Sequence, residues 1–155
     1  MLRAHKPWLP VVLWMGFIFV MSTDLGSFEH TSRIIEPVLR WLFPDIAPDT
    51  VGLVQFYIRK AGHLTEYAIL ALLLRRAFGS SLRPGAPGYQ VLGLALLVAA
   101  AYAATDEFHQ SFVPGRTASP VDVLIDTTGA FTALAVAAVR KKWRPRRDSN
   151  TRPSV

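Results

Sequence analysis

The sequence predicts an all-α integral membrane protein: four transmembrane helices, both termini cytoplasmic, and an amphipathic segment in the first outer connection. Three observations predict it. The apolar residues, 51% of 155, are gathered into four long blocks, and the charged residues, 18%, lie mostly between them. A soluble chain of this length, about one domain's worth, would intersperse the two kinds. The blocks approach the roughly 20 apolar residues that a helix needs to cross a hydrocarbon core. Finally, the basic residues are shared unequally among the connections, as the positive-inside rule requires.

The first block runs from Trp8 to Thr23 with no charge inside it. It is short, but Pro7 and His5 extend it and Lys6 can snorkel. Arg3 and Lys6 would also suit the start of a cleaved signal peptide, yet the MSTDLGS that follows lacks an A-x-A site. In the first connection, Asp24 to Leu53, residues Ile34, Ile35, Val38 and Leu42 share a helical face opposite Arg33, Glu36 and Arg40. Thr31 or Ser32 is placed to cap this piece, and Pro37 to kink it or start a second one. It reads either as an amphipathic segment on the outer surface or as a short helix packed over the bundle.

The second block runs from about Val54 to Leu74 and carries Arg59, Lys60, His63 and Glu66 in its first half. Gly79 to Gly88 is a Pro/Gly turn region. The third block starts near Tyr89 and is uncharged through Thr105, and its helix can continue to Phe112. The fourth runs from Val121 to Val139, with Asp122 and Asp126 near its start. Runs this long, without period-2 alternation, are helices rather than barrel strands, because a helix satisfies its own backbone groups in lipid. Residues 8–139 thus form one membrane domain. Residues 140–155 form a basic cytoplasmic tail, and from Arg144 onward its composition is that of a disordered segment.

The net charge of +6 and pI near 10.2 admit two classes of partner, nucleic acid and an anionic membrane surface. Position decides between them. Arg3 and Lys6, then Arg75, Arg76 and Arg83, then Arg140, Lys141, Lys142, Arg144, Arg146, Arg147 and Arg152 are 12 of the 17 basic residues, and four helices put all of them on one side. The first connection has Arg33 and Arg40 against five acids, and the third has only Arg116. The basic excess is a topology signal, and no nucleic-acid partner is expected. Membrane lipids are. The absence of cysteine removes disulfides, thiolate nucleophiles and cysteine zinc sites, and says nothing about compartment.

This topology carries three sets of polar residues to the same outer pole. At about 100° per residue, Arg59, Lys60, His63, Glu66 and Tyr67 lie within one arc of the second helix. Asp106, Glu107 and Gln110 share a face at the end of the third, with His109 on its flank. Asp122, Asp126, Gly129 and Ala133 form a stripe on the fourth. Charge facing lipid costs several kcal/mol, so these faces point inward, and an ionisable cluster inside a membrane is a functional-site hypothesis. Pro114-Gly115 reads as a tight turn that holds Arg116 over the pole, where a guanidinium can pair with a carboxylate or bind a phosphate. Ser119-Pro120-Val121-Asp122 is a capping pattern with Pro at the first helical position. Asp126 lies a turn deeper and needs a partner such as Arg116 or Lys60. Gly129 and Ala133 read as close helix contact.

The segments RKAGHLTEYAILALLL (59–74), TDEFHQSFVPGRTASPVDVLIDTTG (105–129) and, more loosely, WMGFIFVMST (14–23) resemble the VanZ-like family of small bacterial membrane proteins. The family's marked positions correspond to Lys60, His63, Glu66, Tyr67, Asp106, Glu107, Gln110, Phe112, Pro114, Gly115, Arg116, Asp122, Asp126 and Gly129. The resemblance implies a four-helix protein of the bacterial cytoplasmic membrane, and a family whose founding member is associated with teicoplanin resistance. It implies no reaction, and nothing carries over to the acidic first connection or the basic tail.

The expected site is therefore Lys60, His63, Glu66, Tyr67, Asp106, Glu107, Gln110, Arg116, Asp122 and Asp126, with no cofactor or metal assigned. Its first reading is binding or modification of a cell-envelope substrate, such as a lipid-linked cell-wall precursor. Its rivals are a proton- or ion-coupled transporter or flippase and a structural membrane partner without catalysis. A further rival is a metal-dependent hydrolase built on His63-x-x-Glu66 with His109 and a carboxylate. An oligomer is compatible with all of them.

Overall fold

The computed structural model describes residues 6–116 and 118–143, and the helical elements among them are five α-helices and one 3-10 turn. The expected extension through His5 and the tail from Arg144 lie outside the described residues. Helix α1 is Leu9–Ser22, α2 is Phe28–Leu42, α3 is Pro48–Ser81, α4 is Gly88–Gln110 and α5 is Pro120–Trp143. The 3-10 turn Asp24–Gly26 links α1 to α2.

The boundaries differ from the apolar blocks for local reasons. α1 starts at Leu9 with Pro10 in its first turn, so Pro7 does not extend it. α3 starts six residues before Val54, because Pro48 suits a first helical position and Asp49 the positive end of the helix dipole. At 34 residues it is about 51 Å long, well beyond a hydrocarbon core of about 30 Å. In α2, Pro37 lies inside one continuous helix. Thr31 does not cap it but bonds back to the Ser27 carbonyl at 2.9 Å, and Ser32 donates to Gln55 Oε1 on α3 at 3.1 Å. α5 begins at Pro120 as its sequence foretells, with Ser119 Oγ accepting from Val121 N at 3.2 Å.

The core lies where α3, α4 and α5 pack together, with α1 laid against α3 and α4. Tyr67, Leu70, Ala71, Leu74 and Ala77 form the inward stripe of α3, at spacings of three and four. Ala95, Ala99 and Ala103 form that of α4. Gly129 is the closest approach of α5 to α3, since a Cβ there would run into the Leu64 carbonyl oxygen. Ala130 and Leu134, rather than Ala133, complete the buried face of α5. Trp8 Nε1 donates to Ser81 Oγ at 2.9 Å, which ties the start of α1 to the end of α3 and makes the two antiparallel.

The outward faces are apolar. Leu13 on α1, Leu97 on α4 and Leu124 and Phe131 on α5 are all more than half exposed. A soluble monomer rarely shows so much contiguous apolar surface. By length and composition α4 (Gly88–Gln110) and Pro120–Arg140 of α5 are able to cross a membrane. Leu9–Ser22 with Asp24–Leu42 qualifies only as a pair bent by 71°. α3 has the length, but Arg59, Lys60 and Glu66 interrupt its apolar stretch. The chain is an all-helical, multi-pass membrane protein.

Candidate functional site

The end of α4, the start of α5, the middle of α3 and the end of α1 meet at one pole, and the expected polar residues meet there with them. Lys60 pairs with Asp122, and its ammonium lies 5.4 Å from the centre of the Phe56 ring. Asp122 is thus spent on an interhelical ion pair, and Ser119 is the residue that caps α5. One turn deeper, His63 Nδ1 stands 3.4 Å from Asp126 Oδ1. The partner of Asp126 is therefore His63, because Arg116 is engaged elsewhere and Lys60 is held by Asp122. Asp126 is fully buried, and neither of its carboxylate oxygens accepts a hydrogen bond.

On α4, Gln110 Nε2 donates to Asp106 Oδ2 at 3.1 Å, a pair one helical turn apart. Glu107 Oε2 accepts from the Ser119 backbone N–H at 2.9 Å, while its Oε1 is buried without a hydrogen bond. Tyr67 lies beneath the cluster, wholly buried, with its hydroxyl also unbonded. His109 is turned away from the other residues. It shares a hydrogen bond of 3.0 Å with Ser22 and packs on Phe19 with the rings tilted by 30° and centroids 4.6 Å apart.

Arg116 behaves differently from its expected role. Pro114-Gly115 does form a tight turn, closed by Arg116 N–H to the Val113 carbonyl at 3.2 Å, with Gly115 at φ 76° as a type II turn requires. The guanidinium, however, donates to the Met21 and Thr23 carbonyls, so it closes the end of α1 rather than pairing with a carboxylate. Burial, and after it the neighbouring charge of Arg59, lower its pKa, and Asp106, Glu66 and Glu107 oppose that. Arginine stays protonated under such pressure.

Two cavities open at this pole. One, of about 200 Å³, is walled by Ile18, Met21, Ile35 and Ile58 on its apolar side and by Arg59, Glu66, Asp106 and Arg116 on its polar side. The other, of about 500 Å³, is lined by Phe56, Lys60, Asp122, Ser119 and Ile125. Arg59, His63, Gln110 and Arg116 border both. Of the ten expected site residues, Lys60, His63, Glu66, Asp106, Gln110, Arg116 and Asp122 line a cavity, and Tyr67, Glu107 and Asp126 stand behind them.

Sequence reasoning missed Gly26 and the full part of Arg59. A Cβ on Gly26 would strike the Met21 carbonyl and the Arg116 guanidinium, so only glycine lets that arginine reach α1. The turn residues Asp24-Leu25-Gly26 carried that signal. Helical spacing places Arg59 in the polar arc of α3 and the expected site leaves it out, yet it borders both cavities.

No curated protein and no solved structure matches the chain. The family model for VanZ/LLP1 matches residues 8–141, from the first turn of α1 to the last of α5, and so covers every residue of the polar pole. The chain belongs to the VanZ/LLP1 family.

Proposed function

We propose that this protein binds an amphiphilic cell-envelope substrate, such as a lipid-linked cell-wall precursor, at the outer pole of its helix bundle. The observation that carries the reading is the smaller cavity. Isoleucine and methionine line one wall, and two guanidinium groups with two carboxylates line the other. An acyl or prenyl chain suits the first wall. A phosphorylated headgroup suits Arg59 and Arg116, which offer planar donors to anionic oxygen.

In this reading four segments cross the bacterial cytoplasmic membrane and both termini face the cytoplasm. The Lys/Arg asymmetry supports it. So does the antiparallel pairing of α1 and α3, which leaves Arg75, Arg76 and Arg83 at the end opposite the site. The charges inside α3 line the two cavities, which supports α3 as a span. α2 lies along the outer surface. Its Ile34, Val38 and Trp41 are more than half exposed on one face, while Glu36 and Arg40 pair with each other at 2.9 Å.

A glycopeptide susceptibility assay tests the reading, with teicoplanin beside vancomycin in a Gram-positive host. Wild type is compared with Glu66→Gln at matched membrane levels. The expected result is protection by wild type and its loss in the variant. Wild type without protection would separate this chain from the family's best-known phenotype. A coupled transporter, in which the buried Asp126 exchanges protons with His63, would then be the stronger reading.

A further inference from the structure

We propose that His63, Glu107 and Asp126 bind a divalent transition-metal ion of the zinc class. Each residue offers one ligand atom, and the three atoms lie within 4.8 Å of one another. One ligand comes from each of the three core helices: His63 from α3, Glu107 from α4 and Asp126 from α5.

The hydrogen-bond inventory of the pole points to an ion. Asp126 is fully buried and neither oxygen accepts a hydrogen bond. Glu107 is 5% exposed, and Oε1, the oxygen that Ser119 does not engage, is also without a hydrogen bond. His63 Nδ1 is buried and likewise unbonded. Buried polar atoms are nearly always satisfied, so several unsatisfied in one small volume call for a missing partner. A cation suits this gap, because two of the three groups are carboxylates and the His63 ring, though 3.4 Å from Asp126 Oδ1, hydrogen-bonds to neither of them.

Distance supports the same conclusion. The 3.4 Å from His63 Nδ1 to Asp126 Oδ1 is long for an N–H···O hydrogen bond. Two ligands each about 2.1 Å from a tetrahedral ion stand about 3.4 Å apart. The Ser119 N–H fixes the Glu107 carboxylate from behind, as outer partners of metal ligands do. Lys60 and Asp122 neutralise each other, so the nearest ammonium does not compete for the site. A nitrogen donor among oxygens favours zinc or its neighbours over magnesium or calcium.

The ligand set differs from a hydrolase motif built on His63-x-x-Glu66 with His109. Glu66 faces a cavity and His109 is tied to Ser22. Glu107 and Asp126 border neither cavity, so the ion sits behind the wall of the site and ties three helices together. It is a structural keystone for the pole, whatever substrate the cavities take.

The test uses the full chain, purified in detergent, stripped with a chelator and dialysed against micromolar Zn²⁺. Elemental analysis and thermal unfolding are the readouts, with Co²⁺ as a spectroscopic substitute. The expected result is about one ion per chain, a rise in melting temperature, and the visible absorption of a low-coordinate cobalt site. Glu107→Gln and His63→Ala should each weaken binding by more than the roughly 10–100-fold typical of losing an outer-shell partner. Glu66→Gln should bind as wild type. A chain that binds no ion, or variants that bind as well as wild type, would overturn the proposal. If Asp126→Asn fails to fold, the other two variants still decide. Metal binding and the susceptibility assay fail independently, because Glu66 is not a ligand.

Discussion

Lys60 and Asp122 show what a single side chain does in this bundle. Neither is at the surface of a soluble protein, where an ion pair contributes little. Both are mostly buried between α3 and α5. Removing one partner leaves the other charge uncompensated, and that cost exceeds the net value of the pair. Lys60→Met should lower unfolding stability by about 1–2 kcal/mol, at the upper end of polar contacts measured in membrane proteins. Adding Asp122→Asn should restore much of the loss. A double-mutant cycle in detergent measures this, and strictly additive losses would refute the pairing. At this scale the sequence was partly legible. Helical spacing put Lys60, His63 and Asp126 on inward faces, and composition marked Glu66 as embedded. Spacing within one helix cannot say which residue of a second helix stands opposite. The partner of Asp126 and the grip of Arg116 on α1 are therefore visible only in three dimensions.

At the scale of elements, Gly129 and Gly93 make an instructive pair. Both lie inside helices, where glycine costs about 0.5–1 kcal/mol relative to alanine. A Cβ at Gly93 meets nothing, whereas one at Gly129 meets the Leu64 backbone. Gly93→Ala should therefore be neutral or stabilising. Gly129→Ala should push α5 off α3 and destabilise by about 1–3 kcal/mol, as overpacking does. Thermal unfolding of the two variants side by side checks this, and equal behaviour would mean that the helices are not in contact there. The sequence gives helix existence more readily than helix ends. Apolar blocks mark where lipid or core is met, while α3 runs six residues before its block into Pro48. Pro37 misled in the other direction. A proline inside α2 removes a single backbone donor on a helix that, among the described residues, packs on α3 and the 3-10 turn, and the helix continues through it.

For the whole molecule, topology is the property most exposed to test. The chain has no cysteine, so single cysteines report location without background. Asp45→Cys lies between α2 and α3, and Arg83→Cys between α3 and α4. An impermeant maleimide should label the first in intact cells and the second only after permeabilisation. The reverse pattern would invert the protein and place the polar pole in the cytoplasm. That the chain is helical, with segments able to cross a membrane, was legible from the sequence because apolar length in a bilayer selects helices. The cavities were not. The smaller one lies beside the end of the 14-residue α1, and the larger between α3, the end of α4 and the start of α5, and only the packing of these elements brings Arg59 and Arg116 to the edge of both.

The closure of α1 by Arg116 also bears on the order of biosynthesis. The guanidinium that donates to the Met21 carbonyl lies 95 residues after it in the chain. While α3 and α4 are being made, the Met21 and Thr23 carbonyls still lack the guanidinium that engages them. That partner exists only once the loop before α5 has been made, so α1 is clasped by a residue from beyond α4. In this sense α1 is completed only after α4 has been made.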